Sequence, residues 1–384
     1  MSAADSTAQV TKSKTNPSLF FVFTSADCNL SCTYCGATAE DLQMPHRPTY
    51  PVDDLAKFFE SEDGEGITVV FYGGEPLTSI PFLRKVMDRY PKAQFILQSN
   101  VTLLHSLPTE YLLRLWSILV SIDGSEATTD GYRSKGLYKR VMDNVHDAID
   151  RGYKGPLVAR MTCSMKTDIA AEAIHLLRDA PVPFTAVYWQ MDVGFDAPMN
   201  TRWGDFPGWM NNQYKPSLDR LRDFFVAELK EGRAPIIVPF LGVLNTVLGR
   251  SAINGLRCGV GVDTWSITTD GRLMICPVGF DEPWNCIGDI HTSTKSDLER
   301  VDVAGACDKC SIRNVCGGRC LYVNKTAWWG DEGMDWICEG VRHLVKIMED
   351  LVPDVKKMLE EGHPALEMAL DDPALSDFSL EIIP

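Results

Sequence analysis

Short apolar runs alternate with longer amphipathic stretches through the first half of the chain, and this alternation constrains the fold more than any other feature. Six runs have the length and composition of strands: Leu19–Phe23, Ile67–Phe71, Phe95–Gln98, Ile118–Ser121, Leu157–Thr162 and Phe184–Gln190. The stretches between them have helical periodicity: Val52–Glu60, Pro81–Tyr90, Glu110–Trp116, Tyr138–Arg151 and Ala170–Ala180. Strand–helix alternation predicts an α/β fold with parallel strands joined by helical crossovers. Six repeats fit either a partial (β/α)6 TIM-like barrel or a flat doubly wound sheet.

Chemically distinctive residues follow the first four of these strands. A cysteine-rich loop follows the first strand, and Gly73-Gly74-Glu75-Pro76 follows the second. Asn100 follows the third strand, and Asp123-Gly124 follows the fourth. In parallel α/β folds the carboxyl ends of the strands meet at one edge, where function gathers. The sequence therefore predicts one shared site.

Charge and hydropathy exclude several classes of partner. The chain carries 37 basic and 52 acidic residues, and its formal net charge of −15 disfavours a nucleic-acid partner. No run of about 18 uncharged apolar residues is present, so we expect no membrane-spanning helix and no membrane partner. Residues 1–16 are polar and lack the apolar core of a signal peptide, so we expect a disordered tail and a cytoplasmic location.

The twelve cysteines indicate metal ligation, because disulfides are not expected in a chain without an export signal. Cys28, Cys32 and Cys35 share one loop with no fourth cysteine nearby. A 4Fe–4S cluster normally takes four protein ligands, so three leave one iron open for chemistry. A zinc site, the alternative, favours four ligands in paired Cys-x-x-Cys motifs. Cys163 stands apart and is expected to be a small buried residue.

The Cys28-x3-Cys32-x2-Cys35 loop and the motifs after the following strands resemble the radical S-adenosylmethionine (radical SAM) superfamily over about Leu19 to Gln190. The resemblance implies that these cysteines hold a 4Fe–4S cluster whose open iron binds S-adenosylmethionine. Electron transfer to the sulfonium would then cleave a carbon–sulfur bond and give a 5′-deoxyadenosyl radical.

The same resemblance implies contacts to the cofactor. Gly73, Gly74 and Glu75 match a Gly-Gly-Glu turn that holds the methionine amino group through backbone and carboxylate, and glycine permits a close backbone approach. Arg133 matches an arginine that pairs with the methionine carboxylate, with a solvated arginine at a helix start as the alternative. The other candidates lie near strand ends or beside the cysteines: Tyr34 (or core packing), Asn100, Ser121, Asp123, and Gln190 and Met191 for adenine.

The regular alternation stops in the second half of the chain. Met191 to Pro216 is expected to be a long loop over the barrel mouth, and Ser217 to Leu229 a helix. Asp270-Gly271 predicts a hairpin between Thr264–Thr268 and Arg272–Ile275. The segment to Cys338 is poor in apolar runs and would need metal for stability. A helix over Val341–Glu361 and an acidic tail are expected to follow.

Eight cysteines lie in this second half, and their spacing resembles the SPASM extension of radical SAM enzymes. The resemblance implies two auxiliary 4Fe–4S clusters. Of the eight cysteines, only Cys286 is not assigned to either cluster by the resemblance. One cluster would be held by Cys307, Cys310, Cys316 and Cys338, and the other by Cys258, Cys276 and Cys320. Either Cys286 is the fourth ligand of the second cluster, or the fourth position of that cluster stays open to a substrate thiolate. Structural zinc is the alternative for the whole segment. The expected domains are 17–230 for the barrel, 231–345 for the SPASM domain, and 346–384 for a helix and tail.

Two differences between this sequence and known branches of the family limit the functions that we expect for it. Sulfatase-maturing members carry an acidic residue where this chain has Pro277, and an extra cysteine that residues 259–270 lack, so sulfatase maturation is not expected. Only 27 residues precede Cys28, so we expect no N-terminal leader-binding domain. Recognition would then fall to the barrel mouth, the extension or a separate leader-binding protein, as in compact (archaeal-type) peptide-modifying SPASM proteins, which this layout resembles.

The leading hypothesis is therefore a radical SAM oxidoreductase that modifies a peptide or protein side chain, with an external low-potential electron donor. The product could be a thioether, a carbon–carbon cross-link, an epimer or an oxidised residue. Asp123, Asp192, Asp196 and Arg202 are candidate substrate contacts, with structural roles as the alternative. A second hypothesis is modification of a small cofactor precursor such as a tetrapyrrole. A third, a non-enzymatic iron–sulfur electron carrier, conflicts with the motifs that contact the cofactor.

Overall fold

Six parallel strands in chain order form the centre of the fold. The computed structural model describes residues 18–35, 43–193, 203–372 and 383–384. The strands are β1 (Leu19–Ser25), β2 (Thr68–Gly73), β3 (Gln94–Ser99), β4 (Leu115–Ser121), β5 (Leu157–Cys163) and β6 (Ala186–Met191). Every neighbouring pair is parallel, and the order shows no reversal. A doubly wound sheet requires a reversal, so the prediction of a partial barrel is confirmed.

Helices connect these strands at the expected places. They are α1 (Asp54–Phe59), α2 (Ile80–Arg89), α3 (Thr109–Leu112), α4 (Glu126–Tyr132), α5 (Leu137–Asp150) and α6 (Ile169–Ile174). The predicted helix that included Trp116 is wrong at its end, because α3 stops at Leu112 and β4 begins at Leu115. The helix predicted to Ala180 changes at His175 into a wider π turn.

The two faces of the sheet differ in chemistry. Alternate side chains such as Phe20 and Val22 pack in the large core that includes the helices. The opposite side chains form an apolar layer inside the barrel: Leu19, Phe21, Val70, Ile96, Leu119, Val158, Ala186 and Tyr188. By the same alternation, Ser121, Arg160 and Gln190 follow this layer toward the carboxyl ends of their strands. The barrel interior is therefore apolar below and polar at the mouth.

The second half of the chain adds strands to both edges of the sheet. β7 (Ile236–Ile237) pairs with β6, and the buried helix Val238–Val247 follows it directly. At the other edge β8 (Thr264–Ile267) pairs in parallel with β1. β9 (Arg272–Met274) and β10 (Cys286–Asp289) continue from β8 as antiparallel strands. The predicted hairpin across Asp270-Gly271 is confirmed, and ten strands form one sheet.

The remaining helices pack around this extension and the open side of the barrel. They are α7 (Phe206–Trp209), α8 (Lys215–Lys230), α9 (Val238–Val247), α10 (Arg313–Cys316), α11 (Leu321–Thr326), α12 (Gly330–Glu360) and α13 (Pro364–Leu370). No helix in the described ranges combines the length and hydropathy needed to span a membrane.

Three expectations for this half need correction. The predicted loop to Pro216 is helical from Phe206, because Trp203, Phe206 and Trp209 pack against one another. The helix predicted from Val341 begins at Gly330, so it contains Cys338. The expected tail begins with α13, which buries Leu366 and Leu370.

Candidate active site

The first cysteine cluster lies on the loop after β1, at the barrel mouth. Cys28 and Cys35 are exposed and Cys32 is half-buried. The Thr33 amide donates to the carbonyl of Tyr132 (2.8 Å), and the Cys35 amide donates to that of Cys32 (3.0 Å). Burial raises the pKa of the Cys32 thiol, and the positive charge of Arg133 acts in the opposite direction. The loop thus presents three thiols beside a buried cation.

The Gly-Gly turn after β2 lies directly against this loop. The Gly74 amide donates to the Ser25 carbonyl (3.0 Å), and the Glu75 amide donates to that of Asp27 (2.8 Å). A Cβ on Gly73 would lie 2.0 Å from the Ser25 oxygen, and Gly73 has φ of 138°. A Cβ on Gly74 would lie 2.5 Å from the Asp27 oxygen. Both glycines are therefore required for contact between the turn and the chain that precedes Cys28.

The Glu75 side chain joins this turn to the end of β3. Its carboxylate is 1% exposed and accepts from the Leu77 amide (3.0 Å), the Ser99 hydroxyl (2.7 Å) and the Asn100 amide (2.8 Å). Burial raises the pKa of Glu75 to about 7, although the three hydrogen bonds oppose the shift. The carboxylate thus has a structural role besides its predicted contact with the methionine amino group.

Asn100 reaches back to the cysteine loop through two residues that the sequence analysis missed, Asn29 and Thr102. The Asn100 amide nitrogen donates to Asn29 Oδ1 (2.9 Å), and Asn29 donates to the Thr102 hydroxyl (2.8 Å). The Thr102 hydroxyl in turn donates to Asn100 Oδ1 (2.6 Å). The only sequence signal was an amide residue immediately after Cys28. This triangle holds the loop against β3.

Asp123 and Arg133 form a buried ion pair next to the first cysteine cluster. Nε and Nη2 of Arg133 each lie 2.8 Å from a different carboxylate oxygen of Asp123. Their side chains are 7% and 0% exposed. The Tyr34 hydroxyl (2.7 Å) and the Thr162 amide (2.9 Å) also donate to Asp123. The alternative role of Arg133 as a solvated arginine at a helix start is therefore wrong. The side chain is buried, and the residue follows the end of α4.

Of the two residues expected at the adenine, only Gln190 faces the barrel interior. Its Nε2 is buried and has no hydrogen-bond partner in the described part of the chain. The prediction that the Met191 side chain contacts adenine is corrected, because that side chain is 3% exposed and packs in the helix-side core. Ser121 is half-buried at the end of β4.

Arg160 is a polar residue of the interior that the sequence analysis missed. It pairs in register with Ser121 on one side and Tyr188 on the other, and its Nε donates to the Tyr188 hydroxyl (2.7 Å). The available signal was a charged residue inside the apolar strand Leu157–Cys163. This guanidinium adds positive charge within the barrel, beside a predicted cofactor contact.

The other proposed substrate contacts are less favourable or not described. Asp192 is 4% exposed and accepts from the Ser164 hydroxyl (3.0 Å), which indicates a structural role. Its carbonyl accepts from the Trp203 indole (2.7 Å). Asp196 and Arg202 lie outside the described residues, as does the predicted disordered tail over 1–16.

Five cysteines of the second half surround one cavity. They are Cys307, Cys310, Cys316, Cys320 and Cys338, from the turn before α10, the end of α10, the residue before α11 and the first third of α12. In the described ranges, no three His, Cys, Asp or Glu side chains come close enough to hold a single metal ion. A cavity lined by thiols is compatible with an iron–sulfur cluster and with the zinc alternative, since thiolates are ligands of both.

The other cysteines differ in exposure. Cys276 is buried, Cys258 is half-buried and Cys286 is exposed on β10. Asn285 holds the Cys276 backbone by accepting from its amide (2.8 Å) and donating to its carbonyl (3.0 Å). Cys163 is fully buried, as predicted, and burial holds its pKa well above the usual range. Exposure does not decide the role of Cys286, because the predicted ligands Cys28 and Cys35 are exposed as well, and both alternatives for this cysteine stay predictions.

Comparison with known proteins covers both halves of the chain. The Radical SAM superfamily model matches residues 22–181. The Fe-coproporphyrin III synthase of Methanosarcina barkeri is 27% identical over 182 residues, which are 45% of this chain and 44% of that enzyme. The cysteine-type anaerobic sulfatase-maturating enzyme of Clostridium novyi is 23% identical over 297 residues, 71% of this chain and 76% of the relative.

Two solved structures share the fold at low sequence identity. Native anSMEcpe with bound AdoMet and Cp18Cys peptide has a TM-score of 0.70 at 17% identity, over 89% of this chain and all of that one. Streptococcus suis SuiB bound to precursor peptide SuiA has a TM-score of 0.55 at 13% identity, over 82% of this chain and 73% of the other. Together with the three cysteines on the β1 loop and the Gly-Gly-Glu turn against them, the family match shows that residues 22–181 form a radical SAM domain and that the chain is an enzyme.

Proposed function

We propose that this enzyme modifies a side chain of a peptide or protein, using auxiliary iron–sulfur clusters in residues 231–345 as a SPASM domain. The observation that carries the proposal is the cavity lined by five cysteines beside a radical SAM barrel. The fold likeness to anSMEcpe with bound peptide and to SuiB with bound precursor peptide supports it. The expectation of an enzyme is confirmed, and the hypothesis of a simple electron carrier is wrong.

The residues at the barrel mouth have distinct tasks in this proposal. A 4Fe–4S cluster and S-adenosylmethionine supply the electron and the adenosyl radical when bound, and Cys28, Cys32 and Cys35 hold the cluster. Gly73 and Gly74 bring backbone close to the cysteine loop, where the methionine amino group is proposed to bind. The buried amide of Gln190 has no hydrogen-bond partner among the described residues and provides a donor for adenine.

Arg133 is proposed to act on the methionine carboxylate from a fixed position. Asp123 engages Nε and Nη2 of its guanidinium, and the Tyr34 ring lies 5.5 Å below the guanidinium carbon. The bidentate pair leaves Nη1 outside these two hydrogen bonds, and Arg carries five donors. Held in this way, the cation is oriented before the cofactor binds, which reduces the entropy cost of binding.

Arg160 and Tyr188 are proposed as contacts to the substrate or cofactor in the barrel interior. Their hydrogen bond of 2.7 Å fixes the guanidinium beside Ser121. A peptide carbonyl or carboxylate would be recognised there by a charge-assisted hydrogen bond. The electron donor, the separate leader-binding protein and the open position next to Cys258, Cys276 and Cys320 are also part of the proposal.

The first test is production of 5′-deoxyadenosine by anaerobically reconstituted protein reduced with dithionite. The expected result is cofactor cleavage in the parent and none in the triple variant C28A/C32A/C35A. Cys163→Ala is the matched control, since it removes a buried thiol outside both groups. Retention of zinc alone, or intact S-adenosylmethionine under strong reductant, would overturn the proposal.

The second test identifies the substrate class. A pool of synthetic Cys- and Gly-rich peptides is expected to increase 5′-deoxyadenosine formation, with a matching mass change in one peptide. Modification of a tetrapyrrole is the second candidate, because Fe-coproporphyrin III synthase matches 182 residues of this chain at 27% identity. Stimulation by one member of a panel of tetrapyrroles and by none of the peptides would favour that candidate.

A further inference from the structure

The chain around Cys316 concentrates positive electrostatic potential in a protein whose net charge is −15. The backbone amides of Gly318 and Arg319 donate to the Cys316 thiol. Gly317, Gly318 and Arg319 have φ of 77°, 106° and 56°, three successive residues in the left-handed region. A helical residue followed by one in the left-handed region turns consecutive N–H groups to one side and forms an anion-binding nest, and Cys316 at the end of α10 followed by Gly317 is such a pair. Two N–H groups of this turn point to the Cys316 sulfur.

Arg257 places a buried cation against the backbone of Val315, the residue before Cys316. It is 7% exposed, and its guanidinium donates to the carbonyl of Val315 (2.6 Å), the hydroxyl of Thr246 (2.7 Å) and the carbonyl of Gly242 (3.3 Å). All three acceptors are neutral. In the described part of the chain, no carboxylate forms an ion pair with it. The Arg257 guanidinium keeps its positive charge, because arginine is not deprotonated in proteins.

Three arginines line the cysteine-lined cavity, Arg257 is not one of them, and two of the three are paired with carboxylates. Arg313 lies 2.8 Å from a carboxylate oxygen of Asp308, and Arg342 lies 2.7 Å from one of Asp335. An uncompensated buried charge costs several kcal/mol, so Arg257 requires a nearby anion. The four thiolates and the 2+ core of an oxidised 4Fe–4S cluster sum to a charge of −2, which would meet that requirement.

We propose that Arg257, together with the amide nest, is a positioning element that raises the reduction potential of the cluster held by Cys307, Cys310, Cys316 and Cys338. Reduction by one electron takes that cluster from −2 to −3, and a buried cation stabilises the more negative form more strongly. The cluster is thereby tuned to accept an electron from the reaction. This inference rests on the proposed function, because it needs a cluster at these cysteines.

The test is an EPR-monitored redox titration of the full chain, reconstituted anaerobically in a C28A/C32A/C35A background to remove the first cluster. Arg257→Met is expected to lower the reduction equilibrium constant at least tenfold, which is about 59 mV for one electron. Arg257→Lys keeps the charge and is expected to restore most of the potential. Thr246→Val removes a hydrogen bond of Arg257 without removing charge and should leave the potential unchanged.

Arg313→Met is the matched control, because Asp308 already neutralises that guanidinium. If Arg257→Met fails to take up iron, Arg319→Met removes the second cation at Cys316 and is expected to give a smaller shift in the same direction. Unchanged potentials in both variants at normal iron content, or equal shifts in Arg257→Met and Arg257→Lys, would overturn the inference alone. A parent protein that takes up no iron–sulfur cluster would overturn the proposed function as well.

Discussion

The barrel mouth and the cysteine-rich extension hold their candidate ligands in opposite ways. At the mouth, Glu75, Asn100 and Asp123 connect the cysteine loop to three strands by hydrogen bonds within the protein. In the extension, short elements such as α10 and α11 surround a cavity lined by thiols. The comparison indicates that hydrogen bonds within the protein build the first site before a cluster binds, whereas under the proposed function the second site depends on a cluster for its structure.

The largest expected effect tests that dependence directly. Removal of iron by chelation should unfold residues 303–340, since structural metals contribute on the order of 10 kcal/mol. Hydrogen–deuterium exchange by mass spectrometry should show rapid exchange there and continued protection in the core strands β2 to β5. Cys316→Ala should behave like chelated protein, and Cys163→Ala should not. Equal protection of both regions after chelation would contradict the comparison.

The buried ion pair at the mouth provides the next largest effect. Asp123→Ala leaves Arg133 as an uncompensated buried charge and should lower the free energy of unfolding by about 3–5 kcal/mol. Urea denaturation of chelated protein measures it without interference from the cluster. Asp143→Ala is the control, because the exposed Lys139–Asp143 pair contributes about 0.5 kcal/mol or less. Equal effects of the two changes would show that the mouth is not preorganised.

Protonation of Glu75 is expected to change the free energy of unfolding by about 3 kcal/mol between acidic and neutral pH. Its pKa is about 7 in the fold against an ordinary 4.5, so the native state binds the proton more tightly than the unfolded state. The stabilisation is therefore full below pH 4.5 and is lost as pH rises toward 7. The difference in unfolding free energy between parent and Glu75→Gln, measured by urea denaturation across this range, should change with that slope. A pH-independent difference would contradict it.

The smallest expected effect concerns the glycine turn. Gly73→Ala forces a Cβ against the Ser25 carbonyl at positive φ and should cost about 1–3 kcal/mol. It should also lower iron incorporation at Cys28, Cys32 and Cys35. Gly131→Ala in α4 meets no atom within 4 Å and should be neutral or slightly stabilising. Thermal unfolding and iron content separate the two outcomes.

Much of the barrel was predictable because each strand is a distinct apolar run with the site residues at its end. The boundary between α3 and β4 was not predictable, since residues 112–120 are mostly apolar and contain no glycine, proline, asparagine or aspartate to mark a turn. The aromatic packing of Trp203 and Trp209 also escaped the sequence analysis, because the glycine, aspartate and proline residues between them indicated a loop. Tertiary packing decided both cases.

The partners of individual polar groups were less accessible from the sequence. The motifs predicted that Asp123 and Arg133 share a site, but ten residues of separation do not reveal that they bind each other. Arg160 was missed because a lone charge in an apolar strand has no motif around it. Arg257 has the same difficulty, since its significance depends on the position of Cys316, 59 residues later in the chain.

The parallel pairing of β8 with β1 has a consequence for biosynthesis. β1 is made first, yet one of its edges has no neighbour until Thr264–Ile267 has been synthesised. Every residue of β1 is buried in the finished protein, so a nascent or truncated barrel carries an apolar strand with free amides and carbonyls along one side. Such edges recruit other chains. We therefore expect that residues 18–250 made alone aggregate, and that the enzyme reaches a safe state only after its extension closes that edge.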